Sequence, residues 1–441
     1  MTHLQERHVT MIALGGVIGA GLFVGTGAGI AVAGPAVLIS FGLAGFLALL
    51  IMRMLGEMAA EHPSGGAFSV HAEKAIGPWA GFTVGWCYWG TVGVVLAVEA
   101  TGAAKIAAGW VPAVPQWAWV LVFMSALTAV NLTNVRNFGE FEFWFAGLKI
   151  AAIVLFLALG ALAIAGLLPN VGSPGLSNLH DFIPHGWGGV IAGFMAVVFA
   201  FGGLEVVTIA AADAEDPEHA IKKAVRTSIT RLLVFYLGSM AVVVTLLPYN
   251  DSEVGASPYA AVLNKLGIPA AAQIMNVVIF VALLSAINAT LYGAARMLCS
   301  LAERGEAPKA MLDRKNGVPR NAVLASVAFG FFSVILNYLW PDTVFLLLLN
   351  AVGSALLVVW AFIAISQIRL RRTMDNPAVP MWGYPYLSWL ALAGIAAIIV
   401  LMLNDEQARG QILSTGVLVA VIAAIALSRS ALRRRNLHDR T

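Results

Sequence analysis

The chain has 441 residues, of which 60% are hydrophobic and 11% charged, with a formal net charge of +3. Soluble domains carry about 25% charged residues, so this composition excludes an ordinary water-facing enzyme. Its apolar content excludes a disordered or fibrous chain, and two cysteines inside apolar runs, Cys87 and Cys299, exclude a disulfide framework.

A membrane-spanning helix needs about 20 apolar residues. Twelve runs meet that need: 9–32, 35–60, 79–109, 116–134, 139–167, 187–212, 224–248, 269–300, 321–340, 342–367, 384–403 and 411–428. The first is too long for a cleaved leader. With the amino terminus inside, 22 of the 26 Lys and Arg fall on the inner side, three (Lys105, Lys265, Arg409) fall outside, and Lys149 lies within a run. That bias predicts a multi-pass protein with both termini cytoplasmic. The Arg433-Arg434-Arg435 cluster then reads as a topology anchor rather than a nucleic-acid patch, and nucleic acid is not expected as a partner.

The first run contains Gly15-Gly16-Val17-Ile18-Gly19-Ala20-Gly21, and the sixth contains Phe199-Ala200-Phe201-Gly202-Gly203-Leu204-Glu205. Lipid offers no hydrogen bonds, so such breakers survive at membrane depth only where protein, water or ligand meets the freed backbone. Paired interruptions in corresponding halves point to a transporter site at the midplane. A half-helix starting near Gly19 to Gly21 presents unpaired N–H groups and a positive dipole end, which suit a carboxylate. Half-helices ending before the breaks present carbonyls, which suit an ammonium. Together they suit an amino acid zwitterion. Close helix packing through Gly21, Gly25 and Gly29 is the plainer alternative. The order Gly16-x-x-Gly19-x-Gly21 is not a dinucleotide fingerprint.

A charge inside the bilayer is costly and is a functional candidate by default. Lys149 lies about ten residues into the fifth run, and alternation between ammonium and amine there would couple protons to transport. Snorkelling or a fixed ion pair is the alternative. Glu99, deep in the third run, either contacts the substrate amine or balances Lys149. Glu205 either senses protons, polarises the broken segment or forms a static pair. Glu140 and Glu142 start the fifth run, and Arg53 and Glu57 are expected to pair i,i+4 at the inner end of the second. Ser285 and Asn288 offer polar atoms in the eighth run, either to a cation-like site or to interhelical hydrogen bonds. All eight histidines lie in termini, loops or run ends, so no mid-membrane histidine relay is expected. No metal, cofactor, P-loop or protease motif is read, and an enzyme is not expected.

These stretches resemble the amino acid–polyamine–organocation superfamily, in its bacterial amino acid permease branch. Besides the two glycine-broken segments, the likeness rests on Ala33-Gly34-Pro35, Met52-Arg53-Met54-Leu55-Gly56-Glu57-Met58 and Phe138-Gly139-Glu140-Phe141-Glu142-Phe143-Trp144. Thr208-Ile209-Ala210-Ala211-Ala212 and Leu96-Ala97-Val98-Glu99 look most like the gamma-aminobutyrate permeases. The resemblance implies an all-α membrane protein of twelve transmembrane helices: a LeuT-like five-plus-five inverted repeat with two additional C-terminal helices. Its parts would be residues 1–170, 171–372 and 373–441. It also implies proton-coupled uptake across a bacterial plasma membrane by alternating access. Carried over by position, the amides of Ala20 and Gly21 would take the carboxylate. The carbonyls of Val17, Phe199 and Gly202 would take the amine, and Phe199 and Phe201 would line or gate the pocket. Lys149 would replace a sodium ion, facing Gly15, Ile18 and Ser285. Ala20 stands where relatives often carry a small hydroxyl, which removes one carboxylate donor.

The expected activity is proton-coupled uptake of gamma-aminobutyrate or a related zwitterion. Uptake of neutral, proline-like or aromatic α-amino acids, an exchanger, and a transport-inactive amino acid sensor are the alternatives. Expected partners are the amino acid, protons and the lipid bilayer. A monomer fits, and the sequence does not fix the oligomeric state.

Overall fold

The computed structural model describes residues 10–11, 18–132, 135–168, 173, 175–212, 214, 216–315, 318–375 and 377–438. Gly15, Gly16 and Val17 lie outside the described residues. Apart from a two-residue strand pair, Arg314–Lys315 with Val318–Pro319, the regular structure described is helical. Apolar runs of this length must satisfy every backbone group internally, and a helix does so within one segment.

In chain order, a π turn at Gly21–Gly25 leads into α1 (Thr26–Ala33), followed by α2 (Val37–Glu61), α3 (Ala67–Ala75), α4 (Pro78–Trp110), α5 (Gln116–Asn131) and α6 (Val135–Ile164). Then come α7 (Gly186–Val198), α8 (Leu204–Ala211), α9 (Pro217–Leu232), α10 (Gly238–Leu246), α11 (Ser252–Ala256), α12 (Pro258–Lys265) and α13 (Pro269–Glu303). The last four are α14 (Arg320–Leu339), α15 (Val344–Leu370), α16 (Tyr386–Asn404) and α17 (Glu406–His438). Among the described residues, nine helical stretches are long and apolar enough to cross a membrane. The expected runs 116–134 and 224–248 are carried by the shorter apolar helices Gln116–Asn131 and Leu233–Leu246, and the first two runs fall together in the stretch Gly21–Glu61.

The centre is built on α4 and α13, which pack along one another, with α15, α14 and α17 also against α4. At 33 and 35 residues, these two helices extend about 50 Å, well beyond a hydrocarbon core of about 30 Å. Their buried residues are largely Ala, Gly, Thr and Ser, which let backbones approach where no hydrophobic force drives helices together.

Polar groups tie together the ends of α2, α13 and α15 with α3. Glu57 is fully buried, and its ion pair is with Arg371, Nε to Oε1 3.2 Å, not with Arg53. Met381 N and Gln367 Nε2 also donate to this carboxylate. Arg53 instead donates to the Pro380 carbonyl at 2.9 Å and lies over the Trp382 ring. Glu57 still acts on Arg53 electrostatically, but the direct contacts of its carboxylate are with the Met381 backbone amide, the Gln367 side-chain amide and Arg371, which reach it from α15 and the segment after it. Nearby, Arg304 at the end of α13 binds Glu73 at 2.7 Å and the Ser69 hydroxyl at 2.9 Å, fixing α3.

His71 of α3 is fully buried, and neither ring nitrogen has a hydrogen-bond partner. Burial, reinforced by Lys74 and His62, pushes its pKa down to about 3. Between the ordinary value of about 6.5 and this one, the unfolded chain binds a proton that the folded chain refuses. Stability therefore falls as pH drops through that window, by up to about 1.4 kcal/mol per pH unit. In detergent, the apparent Tm of the wild type should decline between pH 6.5 and 4, and His71→Leu should flatten that decline. Parallel curves would remove His71 as the cause.

Candidate substrate site

Ile18 and Gly19 are non-helical, and the helix restarts at Ala20. Gly19 O accepts from the Leu22 and Phe23 amides at 3.2 and 3.3 Å, so among the described residues the helical ladder begins at Leu22, after the amides of Ala20 and Gly21. The Ala20 amide donates to both carboxylate oxygens of Glu99, each at 3.1 Å. Gly19 makes this approach possible, since a Cβ there would stand 2.5 Å from Glu99 Oε1. A carboxylate therefore already sits where the sequence predicts one to bind, and it belongs to the protein.

The second break follows from two glycines. Phe199–Phe201 tighten into a 3-10 turn, Gly202 is extended, and Gly203 takes φ 95°, a left-handed conformation that favours glycine. Glu205 closes this end. Its Oε2 accepts from the Gly203 amide at 3.0 Å and its Oε1 from Trp360 Nε1 at 2.7 Å. It caps the start of α8, where the dipole favours a negative charge. The two breaks touch: a Cβ on Gly21 would stand 2.5 Å from Ala200 Cα.

A small cavity lies at this junction. Gly19, Gly21, Phe199, Ala200, Gly202 and Gly203 contribute the broken backbone, and Tyr88, Thr91, Val92, Val95 and Glu99 form a stripe of α4. Val206, Thr290 and Leu356 close it. The Tyr88 hydroxyl has no hydrogen-bond partner. The space for centres of water-sized molecules is about 40 Å³, room for about three waters.

Of the sequence-predicted residues, Gly19, Gly21, Glu99, Phe199, Ala200, Gly202 and Gly203 line this cavity, while Ala20 reaches it through its amide bond to Glu99. Ile18 is buried beside it without lining it. Phe201 points elsewhere: its ring stacks on Tyr236 at 5.1 Å and stands edge-on to Phe41 at 6.0 Å. Asn288 accepts a hydrogen bond from Asn131 at 2.7 Å, tying α13 to α5.

Lys149 is fully buried, and the charges acting on it are Glu142 and then Glu99. Ser285 donates its hydroxyl to Glu142, 2.9 and 2.8 Å from its two oxygens. Sequence reasoning gave Glu142 no part in the site. The signal was present, since Glu142 and Lys149 are seven residues apart, two turns on one helical face. The same spacing joins Glu99, Val95, Thr91 or Val92, and Tyr88 on α4. Among the described residues, no group of three His, Cys, Asp or Glu could hold a metal.

Comparison with known proteins agrees with this architecture. The amino acid permease family model matches residues 8–435. The gamma-aminobutyric acid permease of Bacillus subtilis is 44% identical over 428 residues, covering 95% of this chain and 91% of that protein. The aromatic amino acid transport protein AroP of Corynebacterium glutamicum is 45% identical over 436 residues, covering 96% and 94%. The gamma-aminobutyric acid permease of Escherichia coli is 44% identical over 432 residues, covering 96% and 93%. Broken helices meeting around a small cavity, inside a multi-pass apolar helical fold, thus accompany a match over nearly the whole length, and the chain belongs to the amino acid permease family, whose members carry amino acids across membranes rather than catalyse reactions.

Proposed function

We propose that this permease takes up gamma-aminobutyrate, or a closely related zwitterionic amino acid, together with protons across a bacterial plasma membrane. The observation that carries the reading is the Glu99 carboxylate seated on the Ala20 amide where the two breaks meet. That position is built for an anion by exposed amides and a helix start. The substrate carboxylate takes this place, and Glu99 turns its charge to the substrate amine. The cavity is smaller than an amino acid, so binding requires the two breaks to part. The Phe199 and Gly202 carbonyls, beside the cavity, suit an α-amine; an ω-amine lies farther off and calls on Glu99.

Lys149 is proposed to carry the coupling proton, supported by its complete burial beside Glu142 and Glu99. Glu205, already held by Trp360 and its own helix start, has the weaker case. The proposed topology has twelve crossings with both termini cytoplasmic, supported by the 22-to-3 distribution of Lys and Arg. The proposed five-plus-five repeat over 1–170 and 171–372, followed by 373–441, is supported by breaks at matching places in the first and sixth runs. A second reading, uptake of an aromatic or other neutral α-amino acid, is favoured by the relative AroP.

Uptake of labelled amino acids into proteoliposomes, with and without an inward proton gradient, tests all of this. Gamma-aminobutyrate should enter and concentrate only with the gradient. Failure to enter or compete would leave the α-amino reading. Entry indifferent to the gradient would indicate an exchanger, and binding without entry a sensor. Glu99→Gln should raise the KM for ω-amino substrates by about 10- to 100-fold, the worth of a charge-assisted hydrogen bond. Equal losses for α- and ω-amino acids would show that Glu99 does not choose between them.

A further inference from the structure

The geometry points to Glu142 as a positioning residue for proton coupling: it balances the charge of Lys149 from the same helix face, with Ser285 of the neighbouring helix fixing its carboxylate. This rests on the reading of Lys149 as the coupling group.

Three ionisable side chains are buried together, Glu99, Glu142 and Lys149, each 4% exposed or less. Fully ionised, they would set two carboxylates against one ammonium. The structure divides their work. Glu99 has its own answer, the Ala20 amide at the start of a half-helix, and lies in the cavity wall. Glu142 is not part of that wall. Its oxygens are held by the Ser285 hydroxyl from α13. Both carboxylates act on Lys149, and Glu142 is the one that shares its helix, two turns away.

Other neighbours add nothing comparable. The helices packed against α6 are α13, α10 and α5. α13 offers the Ser285 hydroxyl, while α10 and α5 contain no charged residue. Among the described residues, Glu99 of α4 is the other charge that acts on Lys149. With Lys149 balanced by Glu142, the charge of Glu99 is left for the substrate, and binding at one end of the cluster changes the field on Lys149 at the other. A buried lysine without Glu142 would have to lean on Glu99, and the substrate would compete with the coupling group for one carboxylate.

The test is the pH profile of gradient-driven uptake in proteoliposomes for Glu142→Gln, Glu142→Asp, Ser285→Ala and Lys149→Ala. Removing this negative charge should move the half-maximal pH of Glu142→Gln to lower pH by about one to two units. Glu142→Asp should bring it back toward the wild type, and Ser285→Ala should shift it in the same direction as Glu142→Gln by a smaller amount. A merely structural residue would lower the amount of active protein without moving the profile. If Lys149→Ala abolishes accumulation and the Glu142→Gln profile overlays the wild type, the role given to Glu142 is wrong while that of Lys149 stands. If Lys149→Ala still accumulates substrate, the underlying reading fails first. Should Glu142→Gln not fold, Glu142→Asp and Ser285→Ala decide: two unmoved profiles overturn the inference.

Discussion

Lys149→Ala is expected to end accumulation while leaving exchange of substrate across the membrane. A one-unit pH difference drives about tenfold accumulation for one proton per solute. The variant should hold the internal to external ratio near unity at any gradient. Two effects combine. The titrating group is gone, and the Glu142 carboxylate is left buried without its counter-charge, a loss of about 3–5 kcal/mol when one partner of a buried pair is removed. Reduced stability alone would lower the amount of active carrier, not its accumulation ratio. The measurement is therefore the ratio at steady state, with counterflow as the control. A ratio that still follows the proton gradient would take coupling away from Lys149.

Gly21→Ala should be nearly as damaging, for a geometric reason. The added methyl would meet Ala200 Cα at 2.5 Å, closer than real Cβ contacts allow. Overpacking a well-packed interior costs about 1–3 kcal/mol, and here it falls on the state in which the two breaks touch, so a carrier that has opened for substrate is hindered from closing again. Uptake should fall by about 100-fold, the kinetic equivalent of somewhat under 3 kcal/mol, while the apparent Tm changes modestly. Ala200→Gly should not restore function, because the clash is with the Cα rather than the side chain. Rescue by that second change would show that Gly21 matters through side-chain packing only.

The elements legible in the sequence were those whose cause is local. Gly202-Gly203 announces a break because one of them must take a left-handed φ, and Glu99 and Lys149 announce themselves as charges inside apolar runs. Features set by partners from other helices were not legible. Glu57 looked like the mate of Arg53 until Arg371 and the Met381 amide arrived from more than 300 residues away. Phe201 looked like a pocket residue beside Phe199. On a 3-10 turn, however, successive side chains are a third of a turn apart, and its ring meets Tyr236 instead. Glu142 looked like the mouth of a helix because nothing in one dimension shows Ser285 opposite it. The stripe from Tyr88 to Glu99 was readable by helical spacing once one of its members was identified.

The stitching around Glu57 constrains how the carrier can move. α2, α15 and the segment through Met381 share one carboxylate, with Arg53 adding a link to Pro380. Separating them breaks several polar contacts at once, each worth about 0.5–3 kcal/mol. Any movement that keeps these contacts must carry the three pieces together, and the nearest departure from regular helix in the sixth run is at Gly202 and Gly203, the kind of position that can absorb a change of torsion.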